Sequence, residues 1–205
     1  MSNPKVKAVL LFLLILAFGV LIWGGYIINR EKPPIPGFVK SSSGETLFTG
    51  EDILVGQNYY FSRGGQHIGT IWGHGAYLAP DWSADYLHRM GLFMAARYAG
   101  LSTEAANNFT QKNFEALDPV KQAEIQARIQ QEIKTNRFDA ANNTLVFTDF
   151  QKEAHQALIG YYTNLFRDGN ERMGLQPGIV RTDAEGKNLT DFFAWLAWAA
   201  GTLRL

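Results

Sequence analysis

The sequence predicts a mainly α-helical domain held by one N-terminal transmembrane helix, on three observations. An uncharged apolar run occupies residues 8–28, and the rest of the chain shows repeated helical spacing between caps and glycine stops. Only one short segment, 144–147, has the composition of a strand. At 205 residues the chain has room for one ordinary domain plus an anchor. Lys+Arg and Asp+Glu both number 19, so the net charge is zero and no nucleic-acid partner is expected. Cysteine is absent, which excludes disulfides, thiolate metal sites, iron–sulfur clusters, cysteine nucleophiles and thioether-linked haem.

The run AVLLFLLILAFGVLIWGGYII over 8–28 is long enough, at about 1.5 Å per residue, to cross a hydrocarbon core of about 30 Å. Trp23 and Tyr26 lie near its C-terminal end, where amphipathic rings favour the headgroup level, and Arg30 and Lys32 follow. A cleaved signal peptide would have a shorter apolar region ending in a small-x-small site. The stretch 24–29 is a poor one, so an uncleaved anchor is favoured. Lys5 and Lys7 before the span narrowly favour a cytoplasmic N-terminus (1–7) and an extracytoplasmic, periplasmic domain on a single-pass inner-membrane anchor. Prolines 33, 34 and 36 make 29–40 a stiff linker.

Residues 41–49 have the small-residue composition of a turn, and Thr49 to Asp52 cap a helix over 53–63 with Ile53, Gln57, Tyr60 and Phe61 on one face. Gly64 and Gly65 stop it. The glycine-dense stretch 69–80 is too irregular for a helix and too apolar for a solvated tail, so a shaped, buried loop is expected. Asp81 or Ser83 then caps a helix to Ala99, and 103–117 continues as one helix. Asp118-Pro119 opens another to Thr135 with the stripe Val120, Ile125, Ile129 and Ile133. Helix 150–166 points Ala154, Leu158, Tyr161, Tyr162 and Leu165 inward. A polar turn is expected at 182–187, followed by an aromatic helix over 189–200 that is apolar all round.

The four histidines, His67, His74, His88 and His155, have no zinc-type spacing, and packing roles are favoured over metal binding. Nucleophile elbow, phosphate-loop and dinucleotide signatures are all missing. Glu51 and Asp52 stand at a helix start, where the macrodipole accounts for them. No catalytic or cofactor-binding residue is assigned.

The stretches 54–57 and 64–70, together with Gly73-His74-Gly75-Ala76-Tyr77-Leu78-Ala79-Pro80-Asp81-Trp82 and on to His88, resemble the N-terminal region of quinol-dependent nitric oxide reductases. The similarity runs through an α-rich insertion to Phe192-Phe193-Ala194-Trp195-Leu196-Ala197-Trp198. It implies a cytochrome-c-like helical fold without haem c, with a membrane-embedded, haem-bearing reductase domain or subunit as partner. That partner would carry haem b, haem b3 and non-haem iron, take electrons from quinol and reduce nitric oxide. The small cytochrome c subunit of two-subunit nitric oxide reductases has a similar Gly-Ala-Tyr loop after its haem motif. Aligned on Gly75-Ala76-Tyr77, that motif falls on 65–69, where no thiol stands.

In these reductases the Gly-Ala-Tyr loop helps to hold calcium near the haem propionates. The resemblance therefore implies that the Gly75 carbonyl and the Tyr77 hydroxyl ligate a shared calcium, whose carboxylates come from the membrane domain. The bland alternative makes Tyr77 an interface aromatic. Trp72, Tyr59, Tyr60 and nearby aromatics are expected to fill the space a haem would take. The organisation that follows is 1–7 cytoplasmic, 8–28 transmembrane, 29–40 linker, 41–188 extracytoplasmic domain, and 189–205 an aromatic helix leading toward a membrane domain. Whether the chain is a subunit or a fragment stays open, and a competing reading is an independent membrane-anchored binding module.

Overall fold

The computed structural model describes residues 3–203, so the ends of the expected 1–7 and 189–205 segments lie outside the described residues. The chain divides after Pro34 into two compact units.

The first unit is helix α1, Pro4–Glu31. Asn3 caps it by accepting the Lys5 N–H, and Pro4 occupies the first turn, where a missing donor costs nothing. None of its residues is buried, and it is long and apolar enough to cross a membrane. Helix therefore extends past both ends of the predicted span. At Lys32 the backbone turns extended ahead of Pro33, as a residue before proline must.

In the second unit, strands β1 (Phe38–Ser41), β2 (Thr46–Thr49), β3 (Phe138–Asp139) and β4 (Thr144–Phe147) form a small sheet in the order β2-β1-β4-β3. β1 pairs antiparallel with β2 and parallel with β4, from Phe38 opposite Thr144 to Ser41 opposite Phe147. Val39, Phe48, Leu145 and Phe147 turn inward and are buried. Strand β4 stands where the sequence predicts it. The hairpin of β1 and β2 corrects the readings of a linker to residue 40 and a turn over 41–49. Ser42, Ser43 and Gly44 belong to the bend between two strands too short to display a period of two.

Six further helices follow: α2 (Gly50–Ser62), α3 (Trp82–Tyr98), α4 (Thr103–Ala106), α5 (Gln111–Glu115), α6 (Pro119–Lys134) and α7 (Asp149–Asp168). The last, α8, is Asp183–Gly201. The single helix expected over 103–117 is interrupted after Ala106, because Thr110 and Asn113 form a capping box that starts a new one. The polar turn expected at 182–187 is the first turn of α8, opened by the reciprocal bonds of Thr182 and Glu185. Two members of the expected helix faces stand in solvent, Val120 of α6 and Phe61 of α2.

α8 is the central strut of this unit, packed by α2, α3, α6 and α7. Its all-round apolar segment is buried within this unit. α2 reaches it through Gly56, where an added Cβ would stand 1.9 Å from the Asn188 carbonyl oxygen, so only glycine permits the crossing. Around α8 the indole of Trp82 stacks on Phe193 at 5.6 Å and meets Phe166 and Tyr162 edge-on. Of the three rings expected as filling, Tyr60 is fully buried, Tyr59 is half-buried with its hydroxyl on the Ile179 carbonyl, and Trp72 is 49% exposed. The buried aromatic core joins Tyr60 to Trp82, Tyr162, Phe166, Phe192 and Phe193, each worth about 1.5–3 kcal/mol of transfer energy when buried.

Candidate functional site

The glycine-rich loop between Gly69 and Asp81 is built from its anchors outward. The Tyr60 hydroxyl donates to the Gly69 carbonyl at 2.6 Å and the Trp82 indole N–H to the Ile68 carbonyl at 2.9 Å, so two core rings fix where the loop begins. Burial, with the Asp81 charge second, pushes the Tyr60 phenol up to about 12. That phenol therefore stays a donor throughout the physiological range.

Asp81 organises the middle. Its Oδ2 accepts the Gly73 N–H at 2.6 Å and the Thr70 hydroxyl at 2.9 Å, while its Oδ1 caps α3 through the Ala84 N–H. Thr70 Oγ1 in turn accepts the Gly75 N–H, and the Trp82 N–H closes the ring on the Thr70 carbonyl. Gly75 has φ +87°, which a side chain would oppose, and the Ala76 N–H then reaches the Ala79 carbonyl. Trp72, also at positive φ, is held by the Ser83 hydroxyl on its N–H, by its indole N–H on the Leu196 carbonyl, and by Trp195 at 5.5 Å.

This frame leaves Tyr77 101% exposed, with Leu78 and half of Trp72 beside it in solvent. The expectation of a shaped loop is met, but its tip is not buried. Gly75 and Tyr77 offer neutral oxygens only, and Asp81, the nearest acid in sequence, is spent on three donors of its own chain. Calcium takes six to eight oxygens and favours carboxylates, so these residues fit the neutral part of such a shell and not a whole one. Among the described residues no group of three His, Cys, Asp or Glu is placed to hold a metal. His67, His74 and His88 are exposed, whereas His155 is buried between Tyr86 and Asp191.

Thr70 and the latch role of Asp81 escape a sequence reading. Asp81 is visible as a helix cap, but nothing in the order of residues ties it back to Thr70 and Gly73. The pairing of Tyr86, His155 and Asp191 is equally hidden, since each comes from a different helix.

Fold and loop together define a thiol-free helical domain that presents an ordered aromatic loop tip and follows a helix able to span a membrane. The family described as the NorB cytochrome c-like domain of nitric oxide reductase matches residues 36–205. The chain belongs to that family. No curated protein matches the chain.

Proposed function

We propose that the chain is the non-catalytic extracytoplasmic domain of a quinol-dependent nitric oxide reductase, which in its complete form converts two NO to N2O. In this reading α1 is a single-pass anchor in the plasma membrane, and the loop 69–81 docks the domain on the haem-bearing membrane partner. Gly75 and Tyr77 contribute neutral oxygens to a calcium ion whose carboxylates the partner supplies. One observation carries the reading: Tyr77 is wholly exposed at the tip of a loop whose backbone is pinned by Thr70 and Asp81. A rigid loop that ends in an unburied aromatic loses little entropy on meeting a partner. Family membership supports the partner's identity, and the absence of cysteine fits a chain that takes no electrons through haem c.

The test is Tyr77→Phe in an intact homologous reductase, with bound calcium and nitric oxide turnover measured. Reduced calcium retention and turnover are expected. Unchanged values for both would reduce Tyr77 to an ordinary surface aromatic.

A further inference from the structure

Outside the loop, the most unusual chemistry of the domain is a line of four polar side chains that runs from the surface into the aromatic core. Tyr86 of α3 is 1% exposed and its hydroxyl lies 2.9 Å from Nδ1 of His155 on α7. Nε2 of the same ring lies 3.0 Å from Asp191 Oδ1 on α8, and Lys187 Nζ donates to Asp191 Oδ2 at 2.6 Å. A carboxylate held by lysine only accepts, so Nε2 carries the imidazole proton and Nδ1 keeps its lone pair for the phenol. The tautomer is thus dictated by Asp191, and an imidazolium formed on His155 would rest against that carboxylate.

We propose that Tyr86 is a redox-active residue, oxidised by a one-electron oxidant of the high-valent metal-complex class to a neutral tyrosyl radical as its proton passes to His155. The step balances. The electron goes to the oxidant, the Tyr86 O–H bond breaks, an N–H bond forms at Nδ1, and the new positive charge lies beside Asp191. Reduction returns the electron to the ring and the proton to the phenolic oxygen.

Burial first, and the Asp191 charge second, push the Tyr86 phenol well above its ordinary value of 10.0, so tyrosinate does not form beforehand. A charged phenol radical is equally unsolvated there, which makes loss of the proton to a neighbouring base part of the oxidation. Other tyrosines have poorer acceptors. Tyr60 faces the Gly69 carbonyl, and Tyr162 donates to Asp85, whose carboxylate already holds Arg89 at 2.8 Å. Tyr98 faces Glu132, which also holds the Thr148 hydroxyl.

A route for the electron is present. Tyr86 stacks on Tyr162 with ring centres 6.2 Å apart and planes within 8°, and Tyr162 meets Tyr161 at 5.0 Å. Tyr161 is half-buried at the surface beneath the Arg89 guanidinium, 3.8 Å from the ring centre. That positive charge disfavours a hole on Tyr161 and drives it inward.

The experiment uses the full chain in detergent, photogenerated tris(bipyridine)ruthenium(III) as oxidant with an irreversible electron acceptor, and electron paramagnetic resonance after freezing. The wild type is expected to give a long-lived tyrosyl signal with coupling to one exchangeable proton, lost in D2O. Tyr86→Phe, which deletes one hydroxyl, and His155→Gln, which deletes the base, should each abolish that signal while circular dichroism shows the fold retained. If His155→Gln does not fold, the wild-type isotope measurement and Tyr86→Phe decide alone. The proposal is overturned by a signal that survives Tyr86→Phe, by a radical without the exchangeable coupling, or by no lasting protein radical in the wild type.

Discussion

The Thr70 hydroxyl donates to Asp81 Oδ2 at 2.9 Å while accepting the Gly75 N–H at the same length, so one carboxylate holds both the start and the tip of the loop. Asp81→Ala removes a helix cap and leaves the Gly73 and Thr70 donors unanswered. Its expected cost is about 3 kcal/mol in urea unfolding, with faster protease cleavage between residues 72 and 78. A loss under about 0.5 kcal/mol would mean that the loop does not depend on this latch.

Tyr77 sets the contrast. Its side chain touches solvent only, so Tyr77→Ala should change the stability of the chain by less than about 0.5 kcal/mol. A drop of several kcal/mol in the same measurement would show that the ring packs within the domain and is not presented to a partner.

Gly56→Ala drives a methyl group onto the Asn188 carbonyl across the α2–α8 crossing. Overpacking of this kind costs about 1–3 kcal/mol, and backbone on the receiving side offers little to yield, so the upper end is expected. Ala at an ordinary helical glycine would stabilise instead, by about 1 kcal/mol. The sign of the shift in melting temperature therefore decides whether the close crossing exists.

The buried phenols predict an alkaline limit. Tyr60 and Tyr98 are each pushed up to about 12, chiefly by burial, and Tyr86 and Tyr162 lie well above 10.0 for the same reason. Their folded-state values exceed the unfolded one, so the stability they contribute is complete below pH 10 and is lost as pH rises through the folded values. Urea midpoints should fall steeply above pH 10, in step with tyrosinate absorbance. A flat profile to pH 12 would contradict this burial.

A chain begun at Ile35 should fold alone, since the unit from that residue carries its own core. Cooperative unfolding with near-ultraviolet circular dichroism from its packed aromatics is the expected result, together with loss of membrane partition. A molten product without tertiary signal would show that α1 contributes to the fold.

The parts of this fold legible in the sequence are those that local chemistry decides. The α1 run, the Thr49 and Asp81 caps and the Asp118-Pro119 start all speak within a few residues of themselves. The Thr182-x-x-Glu185 box is equally local, and its polar composition disguises it as a turn. What stays hidden is non-local. β1 is four residues long and acquires its meaning from β4, which follows it by more than a hundred positions. For the loop, glycine density discloses its shape and the resemblance points to Tyr77. The bonds that hold it, and the Tyr86–His155–Asp191 line, depend on helices meeting in space.

The position of α8 sets a timetable for the newborn chain. Its partners α2, α3 and α7 all precede it, so each leaves the ribosome before the element it must pack against. Gly56 of α2 and Asn188 of α8 meet across more than a hundred residues, and closing such separations is slow. Until residues 183–201 emerge, the rings of Trp82, Tyr162 and Phe166 have no Phe193 to receive them. The half-made domain therefore carries an uncovered aromatic face until its last helix arrives, and its core closes only after residues 183–201 have been made.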